Sequence, residues 1–173
     1  MIDLILGGAR SGKSKLAENL ALSCGQPVVY VATATVEDEE MRSRIVQHRS
    51  RRPSAWTTVE EPLFLADVLR REAAPGRCVL VECITLWLSN LMLMDSGKHF
   101  DEQRGALLEL FPKLSGRLII VSNEVGIGIV PMGELSRRFQ DEAGRLNQSL
   151  AAGCDRVILT VAGIPQVLKG ERL

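Results

Sequence analysis

The sequence has no net charge, few aromatic residues and no long apolar run, and so lacks features that mark nucleic-acid-binding and membrane proteins. Its 173 residues include 21 basic and 21 acidic side chains, so the formal net charge is zero. A neutral chain has no global positive field to attract nucleic acid or an anionic membrane. With two Trp, one Tyr and four Phe, it also offers few rings on which nucleic-acid bases could stack. Because no apolar run reaches the ~20 residues of a membrane helix, we expect neither a nucleic-acid partner nor a membrane span.

The four cysteines also lack any pattern. Cys24, Cys78, Cys83 and Cys154 form no C-x-x-C pair and no metal-ligand spacing, which is typical of small apolar residues in a reducing compartment. The chain begins without the basic region, long apolar segment or cleavage site of a targeting signal, so we expect a cytoplasmic protein. Its length predicts a single domain over residues 1–173 with a full core.

The first motif follows the apolar run 2–6, which has the character of a buried strand. Residues 7–14 match the P-loop pattern G-x-x-x-x-G-K-[ST], and a segment with helical spacing follows them to about residue 23. The glycines let backbone N–H groups converge on a phosphate, and the helix N-terminus adds its positive dipole end. The predicted phosphate-binding residues are Gly7, Gly8, Ala9, Arg10, Ser11, Gly12, Lys13 and Ser14.

Two side chains of this loop have predicted roles in nucleotide chemistry. Lys13 would reach the β- and γ-phosphates as a mobile charge, and the Ser14 hydroxyl would bind Mg²⁺. The alternative is a glycine-rich turn that holds no ligand. The surrounding strand–loop–helix pattern favours phosphate binding.

The rest of the chain alternates apolar runs with helical patterns. The predicted strands are 27–32, 56–59, 78–81, 118–121 and, as the last, 157–161. Predicted helices cover the segment between Thr35 and Pro53 and residues 63–73, 86–94, 101–111 and 135–150, with a polar loop over 95–100. Continuous apolar strands that alternate with helices predict an α/β fold of the P-loop NTPase type, with a mainly parallel sheet covered by helices on both faces.

Polar residues follow several of these strands. Ligands of a parallel sheet bind beyond the carboxyl ends of its strands, where residues 7–14, 33–35, Glu82 and 123–128 lie. A P-loop enzyme places its second acidic group after such a strand, so Glu82 could bind Mg²⁺, directly or through water, or orient an attacking hydroxyl. The alternative is a solvent-facing glutamate at a strand end.

A cluster of arginines surrounds His48. Within residues 42–52 there are five arginines, and in a chain without net charge they form a local anion site. A histidine among cations is disfavoured in its charged form and can act as a nucleophile toward a nucleotide α-phosphate. Residue types alone favour the alternative, a solvated basic helix end with an uninvolved histidine. His99 has no comparable surroundings and is predicted to be a loop residue.

Four blocks in order carry a family resemblance: residues 7–14, 44–53, 81–85 and 122–131. Together they resemble the bifunctional adenosylcobinamide kinase/adenosylcobinamide-phosphate guanylyltransferase family of cobalamin biosynthesis, over nearly the whole chain. The resemblance implies that ATP or GTP phosphorylates the aminopropanol hydroxyl of the corrinoid side chain. It further implies that His48 accepts GMP from GTP and passes it to the phosphorylated corrinoid, giving adenosylcobinamide-GDP.

The resemblance also implies further site residues. The arginines near His48 would hold the triphosphate, and Glu82 would join Ser14 at Mg²⁺. Nucleotide contacts are implied at Thr33, Ala34, Thr35, Arg49, Ser50, Arg51, Arg52, Glu60 and Glu82. The resemblance and the apolar 86–94 helix both predict a homo-oligomer, with a trimer expected.

Three other functions are compatible with a P-loop. A monofunctional small-molecule kinase would leave His48 a structural role. A GTP-dependent switch would need an Asn-Lys-x-Asp motif, which the sequence lacks, since Ser122-Asn123-Glu124 has no lysine. Neutral charge and few aromatic residues disfavour a nucleic-acid-stimulated ATPase.

Overall fold

The computed structural model describes residues 1–35, 39 and 52–173, and within them the chain forms seven strands and five α-helices. The strands are β1 Ile2–Gly7, β2 Val28–Ala32, β3 Thr57–Glu60, β4 Cys78–Glu82, β5 Arg117–Asn123, β6 Arg156–Val161 and β7 Ile164–Lys169. The helices are α1 Lys13–Ser23, α2 Leu65–Glu72, α3 Ile84–Leu93, α4 Phe100–Leu110 and α5 Glu134–Gly153. Of the helix predicted between Thr35 and Pro53, residues 36–38 and 40–51 lie outside the described residues.

The strands form one sheet in the order β3-β2-β4-β5-β1-β6-β7. All neighbouring pairs are parallel except β6 and β7. The α/β fold with a mainly parallel sheet, predicted from the continuous apolar runs, is therefore confirmed.

Both faces of the sheet are covered, which explains why its strands are apolar at consecutive positions. Because side chains alternate across a strand, Leu4 and Ile5 of β1 lie in different apolar clusters, and both are fully buried. On one face Ile5 packs with Ala17 and Ala21 of α1. On the other face the cluster of Leu4 contains residues from α2, α3, α4 and α5.

The seventh strand corrects the prediction that 157–161 is the last. Strand β7 pairs antiparallel with β6 across a tight turn in which Ala162 and Gly163 have φ values of 52° and 79°. Its side chains are mostly exposed, because β7 lies at the edge of the sheet and buries little apolar surface. The periodicity of a buried strand is therefore absent from this segment.

Two further predictions concern the segment from α3 to residue 97. A 3₁₀ turn over Met94–Gly97 occupies part of the segment predicted as a polar loop. Trp87, Leu88 and Leu91 of α3 are fully buried within the chain, which confirms a buried apolar helix here, and its contact with a second subunit stays a prediction. The Trp87 indole also donates a 2.7 Å hydrogen bond to the Leu63 carbonyl, so core packing accounts for the apolar character of α3.

Among the described residues, no helix combines the length and the apolar character that crossing a membrane requires.

Candidate active site

The carboxyl ends of four parallel strands meet at one edge of the sheet. At this edge Gly7 of β1 lies opposite Asn123 of β5, and Ala32 of β2 lies opposite Glu82 of β4. The Glu124 N–H also donates to the Gly7 carbonyl at 3.0 Å. The fold therefore brings the loop 7–14, the segment 33–35 and Glu82 to a common edge, as the sequence predicts.

The loop between β1 and α1 exposes its central residues and buries its last ones. Gly8, Ala9 and Arg10 are exposed, whereas Ser11 and Lys13 are buried. The Lys13 amine turns back into the loop and donates a 2.6 Å hydrogen bond to the Gly8 carbonyl. Burial lowers the pKa of Lys13, and the nearby Glu82 carboxylate acts in the opposite direction. The loop thus surrounds a positive charge, which is the arrangement that a phosphate group needs.

Ser14, in the first turn of α1, reaches across the sheet edge to the end of β4. Its hydroxyl donates a 2.8 Å hydrogen bond to Oε1 of Glu82. Burial raises the pKa of Glu82 from 4.5 to about 7, although this hydrogen bond and the charge of Lys13 both lower it. A hydroxyl, a carboxylate and an ammonium group therefore lie together beside the loop.

The segment after β2 is held by hydrogen bonds rather than left open. Thr33 is fully buried, and its hydroxyl lies 2.8 Å from the Cys83 carbonyl and 2.9 Å from the Cys83 N–H. The Asn90 amide donates to the Thr33 carbonyl at 2.7 Å, and the Thr35 hydroxyl donates to the Asn90 side chain at 3.4 Å. Ala34 and Thr35 are half-buried, so they are more accessible to a ligand than the Thr33 side chain is.

Arg52 is the one member of the arginine cluster within the described residues. Its guanidinium carbon lies 3.5 Å from the centre of the Tyr30 ring, and its buried Nε has no hydrogen-bond partner among the described residues. The ring of Trp56 stacks on Tyr30 at 6.4 Å. The charge of Arg52 also lowers the pKa of Glu82.

Other predicted site residues differ in where they lie. Glu60 is exposed at the end of β3, opposite Ala32. His48, Arg49, Ser50 and Arg51 lie outside the described residues. His99 lies at the start of α4, with its ring 5.6 Å from that of Phe64.

A buried polar network at the same edge was missed by the sequence reasoning. Thr85 in α3 lies 3.3 Å from the Ser122 hydroxyl, which donates to Asn147 of α5 at 2.7 Å. Thr85 also accepts the Asn123 N–H at 2.6 Å, and Asn147 donates to the Asn123 carbonyl at 3.4 Å. The network fixes the end of β5 beside the loop. The available signal was the polar residues within otherwise apolar segments.

The described residues contain no group of three or more histidine, cysteine, aspartate or glutamate side chains that could hold a metal ion. The Ser14 hydroxyl and the Glu82 carboxylate, 2.8 Å apart, form a pair of oxygen groups at the end of the phosphate-binding loop.

Two solved structures have a fold similar to that of this chain. The PH0250 protein from Pyrococcus horikoshii OT3 is similar with a TM-score of 0.58 at 7% identity, covering 99% of this chain and 87% of that one. The RadB recombinase is similar with a TM-score of 0.50 at 18% identity, covering 91% and 73%. The fold of this chain is that of the P-loop NTPases.

Sequence comparison identifies the family. A family model described as cobinamide kinase / cobinamide phosphate guanyltransferase matches residues 3–168. The bifunctional adenosylcobalamin biosynthesis protein CobP of Pseudomonas aeruginosa is 60% identical over the full length of both chains. The corresponding protein CobU of Salmonella typhimurium is 38% identical, covering 98% of this chain and all of its own. The chain therefore belongs to the cobinamide kinase / cobinamide phosphate guanyltransferase family, a family of nucleotide-dependent enzymes with both activities rather than of kinases alone.

Proposed function

We propose that residues 1–173 form one catalytic domain that phosphorylates adenosylcobinamide with ATP or GTP and then transfers GMP from GTP through His48. The product would be adenosylcobinamide-GDP. The observation that carries the kinase assignment is the group formed by Lys13 inside the loop and the Ser14–Glu82 hydrogen bond beside it. Family membership supports the second activity.

In the kinase step, the aminopropanol hydroxyl of the corrinoid attacks the γ-phosphorus of the nucleotide. A new O–P bond forms, the bond to the β-phosphate oxygen breaks so that the nucleoside diphosphate leaves, and the hydroxyl proton passes to solvent. The N–H groups of residues 7–14 would hold the phosphates, and Lys13 would stabilise the negative charge of the migrating group. Thr33, Ala34, Thr35 and Glu60 are proposed to contact the nucleotide from the neighbouring strand ends.

We assign Mg²⁺ to Ser14 and Glu82. The fit rests on donor chemistry, because Mg²⁺ is commonly held by one or two protein oxygens together with water and substrate phosphates. The raised pKa of Glu82 supports this assignment, since it marks a carboxylate whose charge the surrounding residues do not fully compensate. When bound, Mg²⁺ would neutralise charge on the phosphates.

In the guanylyl transfer, His48 is the proposed nucleophile. A neutral imidazole nitrogen attacks the α-phosphorus of GTP, an N–P bond forms, and pyrophosphate leaves. The phosphate of the phosphorylated corrinoid then attacks the same phosphorus, and the N–P bond breaks. Arg49, Ser50, Arg51 and Arg52 would hold the triphosphate, and the effect of the Arg52 charge on the pKa of Glu82 supports a role for Arg52 at this site.

We further propose a homotrimer that works in the cytoplasm. The apolar segment after β5 supports an assembly, since Ile127, Ile129 and Met132 are 80%, 96% and 96% exposed, whereas the trimer rests on the resemblance. Four free thiols, three of them buried, support a reducing compartment. Sedimentation of a monomer at micromolar concentration would contradict the assembly.

Labelled nucleotides test the two activities separately. With ATP and adenosylcobinamide, we expect a corrinoid monophosphate by mass spectrometry. With GTP labelled at the α-phosphate and Mg²⁺, we expect label that stays on the denatured protein and is lost in acid, whereas γ-labelled GTP should leave none. Phosphorylation without retained α-label would identify a monofunctional kinase, and absence of both would refute the proposed function.

A further inference from the structure

The β6–β7 turn is in direct contact with the phosphate-binding loop. The Gly163 N–H donates a 2.8 Å hydrogen bond to the Ser11 carbonyl. A Cβ atom added to Gly12 would lie 3.1 Å from the Gly163 Cα. The two backbones therefore touch, and Gly12 needs to be glycine because of this turn as well as because of its φ of 100°.

Strand β6 approaches the start of the same loop. A Cβ atom on Gly7 would lie 2.4 Å from the Thr160 carbonyl oxygen and 2.6 Å from the Ser11 hydroxyl. Thr160 and Ser11 are both buried, and within the part of the chain that the structure describes their hydroxyl oxygens have no hydrogen-bond partner. The loop thus lies against β6 and its turn on one side, with Gly8–Arg10 exposed.

The bond from Gly163 fixes one peptide group of the loop. The Ser11 carbonyl and the Gly12 N–H belong to the same peptide unit, and in a trans peptide these two groups point in opposite directions. Holding the carbonyl against the β6–β7 turn therefore directs the Gly12 N–H away from that turn. The Gly12 N–H stands immediately before α1, where N–H groups bind phosphate.

We propose that Gly163 is a positioning residue for nucleotide binding, which acts by orienting the Ser11–Gly12 peptide of the phosphate-binding loop. The proposal deepens the proposed function, because it assigns the exposed β6–β7 hairpin a role at the kinase site. Gly163 does so only while it keeps its left-handed conformation, with φ of 79°.

The space around Gly163 allows a test of its backbone conformation without steric crowding. A Cβ atom at this position meets no atom of residues 1–35, 39 and 52–173 within 4 Å, so a side chain there changes the backbone conformation rather than crowding the loop. Asparagine adopts positive φ readily, whereas β-branched valine does not. Gly76, between α2 and β4, is a matched control, because its φ is 77° and its Cβ position is equally open.

The variants that fold as the wild type does are compared by steady-state kinase kinetics and by calorimetric titration with MgATP. We expect Gly163→Val to raise the KM and the Kd for MgATP at least tenfold, with the KM for adenosylcobinamide changed less than twofold. Gly163→Asn should stay within threefold of wild type. Gly76→Val should lower the melting temperature to a similar degree and leave the MgATP Kd unchanged.

A second variant removes the hydrogen bond alone, in case Gly163→Val fails to fold. Cys154 permits ligation of a synthetic peptide covering residues 154–173 to residues 1–153, followed by refolding of the full chain. Glycolic acid at position 163 replaces the N–H by an ester oxygen and adds no side chain. We expect the MgATP Kd to rise at least fivefold. A backbone ester at the exposed position of Glu171 is the control and should have no effect.

An unchanged MgATP Kd in the folded ester variant would overturn the proposal. That result differs from failure of the proposed function, because MgATP binding is measured without the corrinoid. A wild-type chain that binds MgATP but does not phosphorylate adenosylcobinamide would refute the substrate assignment and leave the role of Gly163 to be decided by the ester variant.

Discussion

The Ser14 hydroxyl donates a 2.8 Å hydrogen bond to the Glu82 carboxylate, although 68 positions separate the two residues in the sequence. Strand β5 lies between β1 and β4 in the sheet, so Ser14 reaches Glu82 across that strand from the start of α1. A hydroxyl bonded to a carboxylate of raised pKa, beside a buried lysine, is the local relationship on which the kinase assignment depends.

Replacing Lys13 should remove catalysis without weakening the fold. Lys13 is buried and its pKa is lowered by that burial, so Lys13→Ala removes a charge that is costly to bury. We expect kinase activity to fall roughly 10²-fold or more, with an unchanged or higher melting temperature. Lys15→Ala, which alters an exposed lysine on the same helix, is the control and should keep wild-type activity. Equal rates for the two variants would show that Lys13 does not contact the phosphates.

Replacing His48 should separate the two reactions. His48→Asn removes the proposed nucleophile, so retention of α-label from GTP and formation of adenosylcobinamide-GDP should both be lost. Phosphorylation should continue at least in part, because Lys13, Ser14 and Glu82 are unchanged. His99→Asn is the control, since His99 lies at the start of α4 beside Phe64. If His48→Asn still retains labelled GMP, another residue is the nucleophile.

Glu82 should make the stability of the ligand-free protein depend on pH. Its pKa is about 7 when folded against a usual 4.5, so the folded state binds the proton more tightly than the unfolded state does. The contribution of Glu82 to stability therefore falls as pH rises from about 4.5 to 7 and is lowest above 7. Glu82→Gln carries no charge, so the melting temperature of the variant relative to wild type should increase between pH 5 and pH 8.

The measurement is made without Mg²⁺ or nucleotide, by thermal unfolding at several pH values. Glu109→Gln, at an exposed position of α4, controls for the change of net charge. A difference between Glu82→Gln and wild type that is the same at pH 5 and pH 8 would contradict the raised pKa.

Asp3 is the centre of a buried group of ion pairs at the opposite end of the strands. Removing its charge should destabilise the protein more than removing an exposed charge does. Asp3 is fully buried and accepts hydrogen bonds from Arg156 at 2.7 and 3.1 Å and from Arg117. Asp3→Asn leaves both arginines without their carboxylate, so we expect a loss of about 3–5 kcal/mol in the free energy of unfolding. Asp67→Asn removes an exposed pair with Arg70 and should cost less than about 1 kcal/mol. Urea unfolding compares the two, and equal losses would contradict the prediction.

Local patterns were sufficient to predict most of the fold and the centre of the site. Buried parallel strands must be apolar at consecutive positions because both faces are covered, so β1, β2, β4, β5 and β6 could be recognised from their own residues. The loop 7–14 is likewise a continuous segment whose chemistry depends on its own glycines and Lys13. Glu82 could be predicted because it directly follows a buried strand.

Only the tertiary structure decided which distant residues meet. Strand β7 has little apolar surface, and what holds it is pairing with β6 across the Ala162–Gly163 turn. The contact of Gly163 with Ser11, the network around Ser122 and the place of Arg52 over Tyr30 all join residues far apart in the chain. The apolar helix α3 could equally have met a second subunit or its own core, since periodicity shows that a face is buried and not what buries it. The sequence by itself determined the strands, the loop and its charge, because these depend on neighbouring residues. The contact of the loop with β6 and β7 depends instead on packing between segments some 150 residues apart, about the separation of Ser11 and Gly163.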